Sequence, residues 1–424
     1  MDANRFATHS LNEARILRIL SAAFRAVDPA EAVRKHLPEL SGKLYGLGIG
    51  KASIPMLTAL AEAVQLCGAL AISKHASLPS PNLFPIIEGG HPVPDSRSLE
   101  AGKRALEFVS SLSEDDTLIC LISGGGSALM TLPYVPFEDM QTLTSLLLSC
   151  GARIDEINIL RRQLDRVKGG GLAYATKARV ISLILSDVIG NPLETIASGP
   201  TYPNPTTNED SIAVLQKYGI KKQVPKSILN FLETGILLPS SQQQVTGLHK
   251  IIGDNKLAAQ TAVEQAQSEG FNAEILTNEM QGEAHEVGVM LAKRLREEAL
   301  KRKRPFCLIV GGETTVTIHG DGKGGRNQEL ALGAVNELRD MQNIMLISLA
   351  TDGEDGPTDA AGAVVTGEST RRAESLGLFA TDYLSRNDAY SFFDKSGDLI
   401  RTGPSGTNVN DLVFLISLAD KQGT

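Results

Sequence analysis

Short apolar runs recur along this chain, each closed by glycine or a small polar residue and followed by apolar residues at helical spacing. They are KLYGLGIGKAS (43–53), TLICLISGGGSALM (117–130), RVISLILSDVIG (179–190), FCLIVGGETTV (306–316) and NIMLISLATDGEDG (343–356). Helical patterns lie over 53–66, 96–112, 137–149, 209–219, 255–269, 283–301 and 326–340. A strand followed by a helix and then another strand needs a crossover, which places neighbouring strands parallel, so the alternation defines an α/β fold.

A chain of 424 residues is too long for one ordinary core and suits two domains. The clearest shift in composition is ILLPSSQQQVTGLHK at 236–250, polar and without periodicity. The expected domains are therefore 1–245 and 246–424, with a cleft between them. A net charge of −8 without a large basic block argues against nucleic acid or an anionic membrane as partner. With 12 Phe, 7 Tyr and no Trp, stacking on bases has little to work with. Cys67, Cys120, Cys150 and Cys307 are far apart and suggest neither a disulfide framework nor a zinc site. The N-terminal stretch is amphipathic and contains acids, and no run of about 18 apolar residues occurs. The expectation is a soluble, cytoplasmic protein; no heptad seam points to an oligomer, which stays possible.

In open α/β sheets ligands bind beyond the carboxyl ends of the strands, so the residues that close each run carry the functional reading. After the first run, Gly46, Gly48 and Gly50 precede Lys51 and a helix, a combination of bare amides and a cation that suits an anion. It is not a Walker A loop, because residue 45 is Tyr and Lys51 is followed by Ala. Nor is it a dinucleotide fingerprint, since Ser53 stands at the third glycine position. The plain alternative is a tight turn with a solvated lysine. After the second run, Ser123, Gly124, Gly125, Gly126 and Ser127 form a backbone nest suited to phosphate oxygens. After the third, Asp187 is a carboxylate able to hold Mg²⁺ or accept a proton, or simply a cap.

The fourth run ends at Glu313 and leads through a glycine-rich stretch, in which Gly320, Gly322, Gly324 and Gly325 can serve a β-hairpin, to Arg326 at a helix start. A cation there opposes the helix dipole, so Arg326 calls for an anionic ligand or for an ion pair with Glu329 or another acid. The fifth run is followed by Asp352, Glu354, Asp355 and Asp359, hard ligands for Mg²⁺ or an exposed acidic loop. Thr402, Ser405, Thr407, Asn408, Asn410 and Asp411 precede a terminal strand. Phosphate nests, two cations and acids for a divalent ion make up what phosphoryl transfer requires.

These turns, with GGHPVPDSRS (89–98), RRQLDRVKGGGLA (161–173), SDVIGNPLETIASGPT (186–201), GGRNQEL (324–330) and TGPSGTNVNDL (402–412), resemble the class II glycerate 2-kinase family over about residues 10–415. The resemblance implies a Rossmann-like amino-terminal parallel-sheet domain and a smaller carboxyl-terminal α/β domain of MOFRL type, with the active site between them. It implies ATP-dependent phosphorylation of D-glycerate at the 2-hydroxyl, with Mg²⁺ or another divalent cation. Lys51 and Arg326 match the family's active-site lysine and arginine and would neutralise the γ-phosphoryl or the glycerate carboxylate. Asp187 would position the metal or the 2-hydroxyl, and Asp187 and Asp352 are the metal candidates. Gly48, Gly50, Ser123, Gly124, Gly125, Gly126, Ser127, Lys168, Glu313, Asn327, Thr407 and Asn410 are the expected substrate- and nucleotide-binding residues. Gln163 and Asp165 depart from the family, where His and Ser are common, while Lys168 matches. Two rival readings are an NAD(P)H-dependent hydroxypyruvate reductase, for which residues 66–74 supply no ribose-binding acid, and a noncatalytic sugar-acid sensor.

Overall fold

The computed structural model describes residues 2–75, 83–234 and 247–419, and the chain divides into two compact units, Pro29–Ile252 and Met1–Asp28 with Gly253–Thr424. The expected boundary at 245/246 and most of the linker at 236–250 lie outside the described residues.

The unit Pro29–Ile252 is built on six strands: β1 (Lys43–Ile49), β2 (Gly68–Ser73), β3 (Ile86–Glu88), β4 (Asp116–Ile122), β5 (Arg179–Leu185) and β6 (Gly247–Gly253). Their order is β3-β2-β1-β4-β5-β6, and the pairings from β3 across to β5 are all parallel. This is the strand order of dinucleotide-binding folds, in which the direction of winding reverses between β1 and β4. Every residue of β4 is buried, which is why its sequence is a continuous apolar run rather than an alternating one. Leu47, Ile49, Cys120, Ile122 and Ile184 form the core with Ala101 and Ala105 of the helix Ser96–Ser110. That helix starts where Asp95 accepts hydrogen bonds from the Arg97 and Ser98 amides. A second cluster, around Leu143, Leu160, Leu215 and Phe231, joins helices Phe137–Ser149, Ile154–Gln163, Asn208–Lys217 and Lys226–Thr234.

The other unit holds a mixed sheet of β7 (Asn272–Met280), β8 (Phe306–Gly312), β9 (Ile344–Ala350), β10 (Gly362–Thr366), β11 (Leu399–Ile400) and β12 (Asp411–Ser417). Its order is β11-β10-β9-β12-β8-β7, with β7 and β8 parallel and every other pairing antiparallel. The last strand, β12, is wholly buried between β8 and β9. Residues 1–28 fold with this unit although the sequence places them beside residue 29. The helix Ala14–Ala26 buries Ile16, Ile19, Leu20 and Ala23, one helical stripe, and lies on the helix Asn255–Ser268, whose inward residues are mostly alanine. Arg18 clasps Glu269 through two hydrogen bonds of 2.6 Å at the edge of this contact.

The hairpin expected from the glycines at 320–325 is not formed; residues 313–325 are irregular apart from one bridge, Glu283 to Thr315. The glycines serve close approach instead. A Cβ at Gly320 would lie 2.4 Å from the Arg386 carbonyl oxygen, and one at Gly322 would lie 2.5 Å from the same atom. The segment is tied down by Asn387 Oδ1, which accepts from the amides of His319 (2.7 Å) and Gly320 (3.1 Å), and Lys323 Nζ sits 3.9 Å over the Tyr390 ring.

Candidate active site

The first group of expected residues converges at the reversal point between β1 and β4. Ile49 is level with Ile122, so the turns that follow the two strands run side by side. The Ser123 amide donates to the Ile49 carbonyl (2.9 Å), the Lys51 amide to the Gly124 carbonyl (2.9 Å) and the Ala52 amide to Ser123 Oγ (3.0 Å). Gly50 is left-handed, with φ 114°, and a Cβ there would meet Ser123 Oγ at 2.3 Å. Ser123 is thus a buried tie between the turns, and Gly48 lets the following helix approach, with the Ser53 carbonyl oxygen 3.0 Å from where its Cβ would be.

The surroundings of the glycines bring several of the expected residues together. A Cβ at Gly124 would fall 1.8 Å from Asp187 Oδ2, so only glycine lets the carboxylate in the turn after β5 lie against this turn. A Cβ at Gly125 would meet the His91 ring at 3.2 Å and Lys51 Cγ at 3.3 Å. Ser127 Oγ lies 2.7 Å from Ser198 Oγ. Lys51, Gly124, Gly125, Gly126, Ser127 and Asp187 therefore share one neighbourhood with two residues not named as candidates from the sequence, His91 and Ser198.

His91 lies in GGHPVPDSRS and Ser198 in SDVIGNPLETIASGPT. In GGHPVPDSRS the Gly90 amide donates to Ser98 Oγ (2.9 Å), which also accepts from Asp95 N, so the motif closes the loop that presents His91. Burial, then the charges of Lys51 and Lys74, lower the His91 imidazole to about 4, which leaves it neutral near pH 7. Ala197 and Ser198 have φ of 50° and 62°, left-handed values that are uncommon for residues with a Cβ and mark backbone held by its surroundings.

Lys168 is placed differently from a ligand-facing lysine. It is 5% exposed, and its ammonium donates to Asp165 Oδ2 (2.7 Å) and Thr131 Oγ1 (3.2 Å). Asp165 also accepts from the Leu132 and Val167 amides. The departure from the family at 165 thus supplies the carboxylate that pairs Lys168. Gln163 is similarly engaged, with Asn204 and Asn208.

The second group lies in the mixed-sheet unit. Arg326 opens the helix Arg326–Ala334 and is not paired with Glu329. Its Nε and Nη2 donate to the two oxygens of Asp411 (2.6 and 3.1 Å), and its Nη1 to Glu313 Oε1 (2.6 Å). Burial works against the guanidinium charge, but Asp411 and Glu313 more than offset it and hold the proton firmly. Exposure separates the two acids: the Asp411 side chain is 1% exposed and that of Glu313 is 43%. Asp355, fully buried, begins the same helix by accepting from the amides of Asn327 (3.1 Å) and Gln328 (2.8 Å), with its carboxyl pushed up to about 7 by burial. Asn327 is spent on this network, donating to Asp355 and accepting from Ser348 Oγ.

The acidic run 352–359 is divided between structural tasks. Asp355 caps a helix, Asp359 takes Tyr390 and Arg401, and Asp352 accepts from the Glu354 amide. Among the described residues neither Asp187 nor Asp352 joins a group of three carboxylate, imidazole or thiol ligands. Asn410 has φ 67° and its carbonyl accepts from Thr351, which aligns the turn into Asp411, while Thr407 Oγ1 is buried without a partner.

A six-stranded sheet whose described central pairings are parallel, in one unit, and a mixed sheet in the other define a two-unit α/β protein. Residues 15–233 match the model of a domain of unknown function, DUF4147, and residues 306–411 match the MOFRL family. A D-glycerate 2-kinase of Thermotoga maritima is 42% identical, covering 94% of this chain and 96% of its own. A protein of Agrobacterium vitis provisionally named a hydroxypyruvate reductase is 37% identical over 93% and 92%. The crystal structure of glycerate kinase (EC 2.7.1.31) from Thermotoga maritima superposes with a TM-score of 0.88 at 40% identity, covering 95% of this chain and 99% of that one. This chain belongs to the glycerate 2-kinase family, with an amino-terminal DUF4147 domain and a carboxyl-terminal MOFRL domain.

Proposed function

We infer that this protein is a glycerate 2-kinase, transferring the γ-phosphoryl group of ATP to the 2-hydroxyl of D-glycerate to give 2-phosphoglycerate and ADP. The observation that carries the reading is the Lys51 turn lying against the Ser123–Ser127 nest and Asp187, in a chain 42% identical to a D-glycerate 2-kinase over nearly its whole length. Phosphoryl transfer leaves little covalent work to the protein; most of the rate comes from position and charge neutralisation.

In this mechanism the amides of Gly124, Gly125 and Gly126 and the Ser127 hydroxyl hold phosphate oxygens, and Lys51 offsets charge on the transferring group. His91, neutral near pH 7, donates or accepts a hydrogen bond without adding charge. A carboxylate plus nucleotide phosphates and water is a donor set that suits Mg²⁺, and Asp187 is the residue that fits it; the ion would supply further charge neutralisation when bound. Arg326 takes the glycerate carboxylate or a phosphoryl oxygen. Buried Asp411 remains its fixed orienting partner, and the more exposed Glu313 is the carboxylate that an incoming anion displaces.

The reductase reading fits less well. Ser53 stands where the third glycine of a dinucleotide turn belongs, and its Oγ donates to the Ile72 carbonyl (2.9 Å). β2 ends at Ser73 and is followed by Lys74, so the position that holds the ribose of NAD carries no acid.

The test is purified protein with D-glycerate, ATP and Mg²⁺, its product read by enolase without phosphoglycerate mutase. Enolase-competent product is expected at once. Signal only after mutase is added would make the product 3-phosphoglycerate and overturn the acceptor assignment. Silence with ATP, with oxidation of NADH or NADPH by hydroxypyruvate, would overturn the kinase reading.

A further inference from the structure

We propose that Glu283, His285 and Glu329 form a binding site for one divalent transition-metal ion of the Mn²⁺ to Zn²⁺ class, outside the residues assigned to phosphoryl transfer. One ligand atom from each of the three side chains lies within 4.8 Å of the other two, and His285 Nδ1 is 3.9 Å from Glu283 Oε1. Ligands about 2.1 Å from a shared ion lie roughly 3 to 4 Å from one another, so this spacing needs only a small contraction.

The backbone makes the juxtaposition a firm one. Glu283 is the residue before the helix Ala284–Lys301, His285 is in its first turn, and Glu329 is in the first turn of the helix Arg326–Ala334. The two helices meet at backbone contact. A Cβ at Gly288 would fall 1.9 Å from the Leu330 carbonyl oxygen, and one at Gly333 would fall 2.3 Å from that of His285. Neither helix can rotate its ligand away without breaking this contact.

Both carboxylates are already oriented by the outer hydrogen bonds that fix ligating groups in metal sites. Glu283 accepts from the Thr317 amide (2.8 Å) and the Thr317 hydroxyl (3.0 Å). Glu329, 4% exposed, accepts from Asn387 Nδ2 at both oxygens (3.2 and 3.1 Å). Arg326, one turn earlier than Glu329 on the same helix, is directed to Asp411 and Glu313. Two ionised carboxylates held this close repel one another, and a cation bound between them and the imidazole offsets that repulsion.

The donor set selects the ion. One imidazole with two carboxylates and no thiolate suits Mn²⁺, Fe²⁺, Co²⁺ or Zn²⁺, with water completing the shell, whereas Mg²⁺ and Ca²⁺ favour oxygen alone. A bound ion would pin together two helix starts, one of which carries Arg326, and through Thr317 and Asn387 would steady residues 317–320.

The experiment is titration of chelator-treated full-length protein with Co²⁺ in excess Mg²⁺, read by visible absorption and calorimetry, with competition by Zn²⁺. One Co²⁺ per chain is expected without ATP or glycerate. The His285→Ala variant should lose at least about tenfold in affinity, and Lys51→Ala should bind as the unaltered protein does. The His285 side chain is 43% exposed, so its removal leaves the fold intact. In parallel, Co²⁺ should raise the Tm of the unaltered protein and not that of His285→Ala. No bound Co²⁺, or Co²⁺ bound equally by His285→Ala, would overturn the site. Since nucleotide and glycerate are absent, neither result depends on the kinase reading.

Discussion

Gly124→Ala isolates the contact on which the phosphate-site reading rests. The new methyl would lie 1.8 Å from Asp187 Oδ2 and 2.4 Å from its carboxyl carbon. Restoring an ordinary separation of about 3.5 Å requires the carboxylate or the turn to retreat by roughly 1.7 Å. Gly124 is not among the left-handed glycines, so alanine fits its backbone and the effect is confined to this displacement. Overpacking of this kind costs about 1–3 kcal/mol in stability, less than a folded protein commonly has in hand. A shift above 1 Å at a reacting centre costs on the order of 10²-fold in rate. The expected outcome in the enolase-coupled assay is therefore a drop in kcat of about 10²-fold with a cooperative thermal transition retained. Repeating the substitution on an Asp187→Ala background should add little further loss, because the clashing carboxylate is gone. Turnover within twofold of the unaltered protein, or full additivity of the two substitutions, would refute the placement of Asp187 at the reacting centre.

Arg326→Ala should lower kcat/KM by on the order of 10²–10³ while the fold persists, and near-normal kinetics with saturating ATP and Mg²⁺ would falsify its role. Asp355→Ala leaves the buried Asn327 and Gln328 amides without their acceptor and should cost roughly 3 kcal/mol in urea unfolding, with Asp355→Asn costing less. His91 supplies a pH signature. The unfolded chain takes up a proton below about 6.5 while the folded imidazole stays neutral to about 4, so this group lowers stability progressively as pH falls through that window. His91→Asn should therefore gain stability relative to the unaltered protein at about pH 5 compared with neutral pH, and an unchanged difference would count against its burial beside Lys51 and Lys74.

Much of this molecule is legible along the chain because strand and helix periods are local. The apolar runs of β1, β4, β5, β8 and β9 and the small residues after them announce buried strands closed by turns, and Lys51, Gly124 and Asp187 lie in the turns that follow β1, β4 and β5. Other features depend on partners remote in sequence. Nothing local tells that the glycines of 320–325 yield to Arg386 and Asp388 rather than turn a hairpin, or that the helix Ala14–Ala26 joins residues beyond 253. Nor does a sequence show that Lys168 is spent on Asp165 while Arg326 keeps one exposed and one buried acid. Composition and periodicity determine which segments become strands and helices, because the 3.6- and 2-residue periods set by the backbone decide which side chains share a face, although the ladder bonds of a strand are completed only by partners remote in sequence. Which charges are neutralised, and which are left for a ligand, is decided only when distant turns are brought within about 3 Å of one another, the range over which hydrogen bonds and ion pairs form.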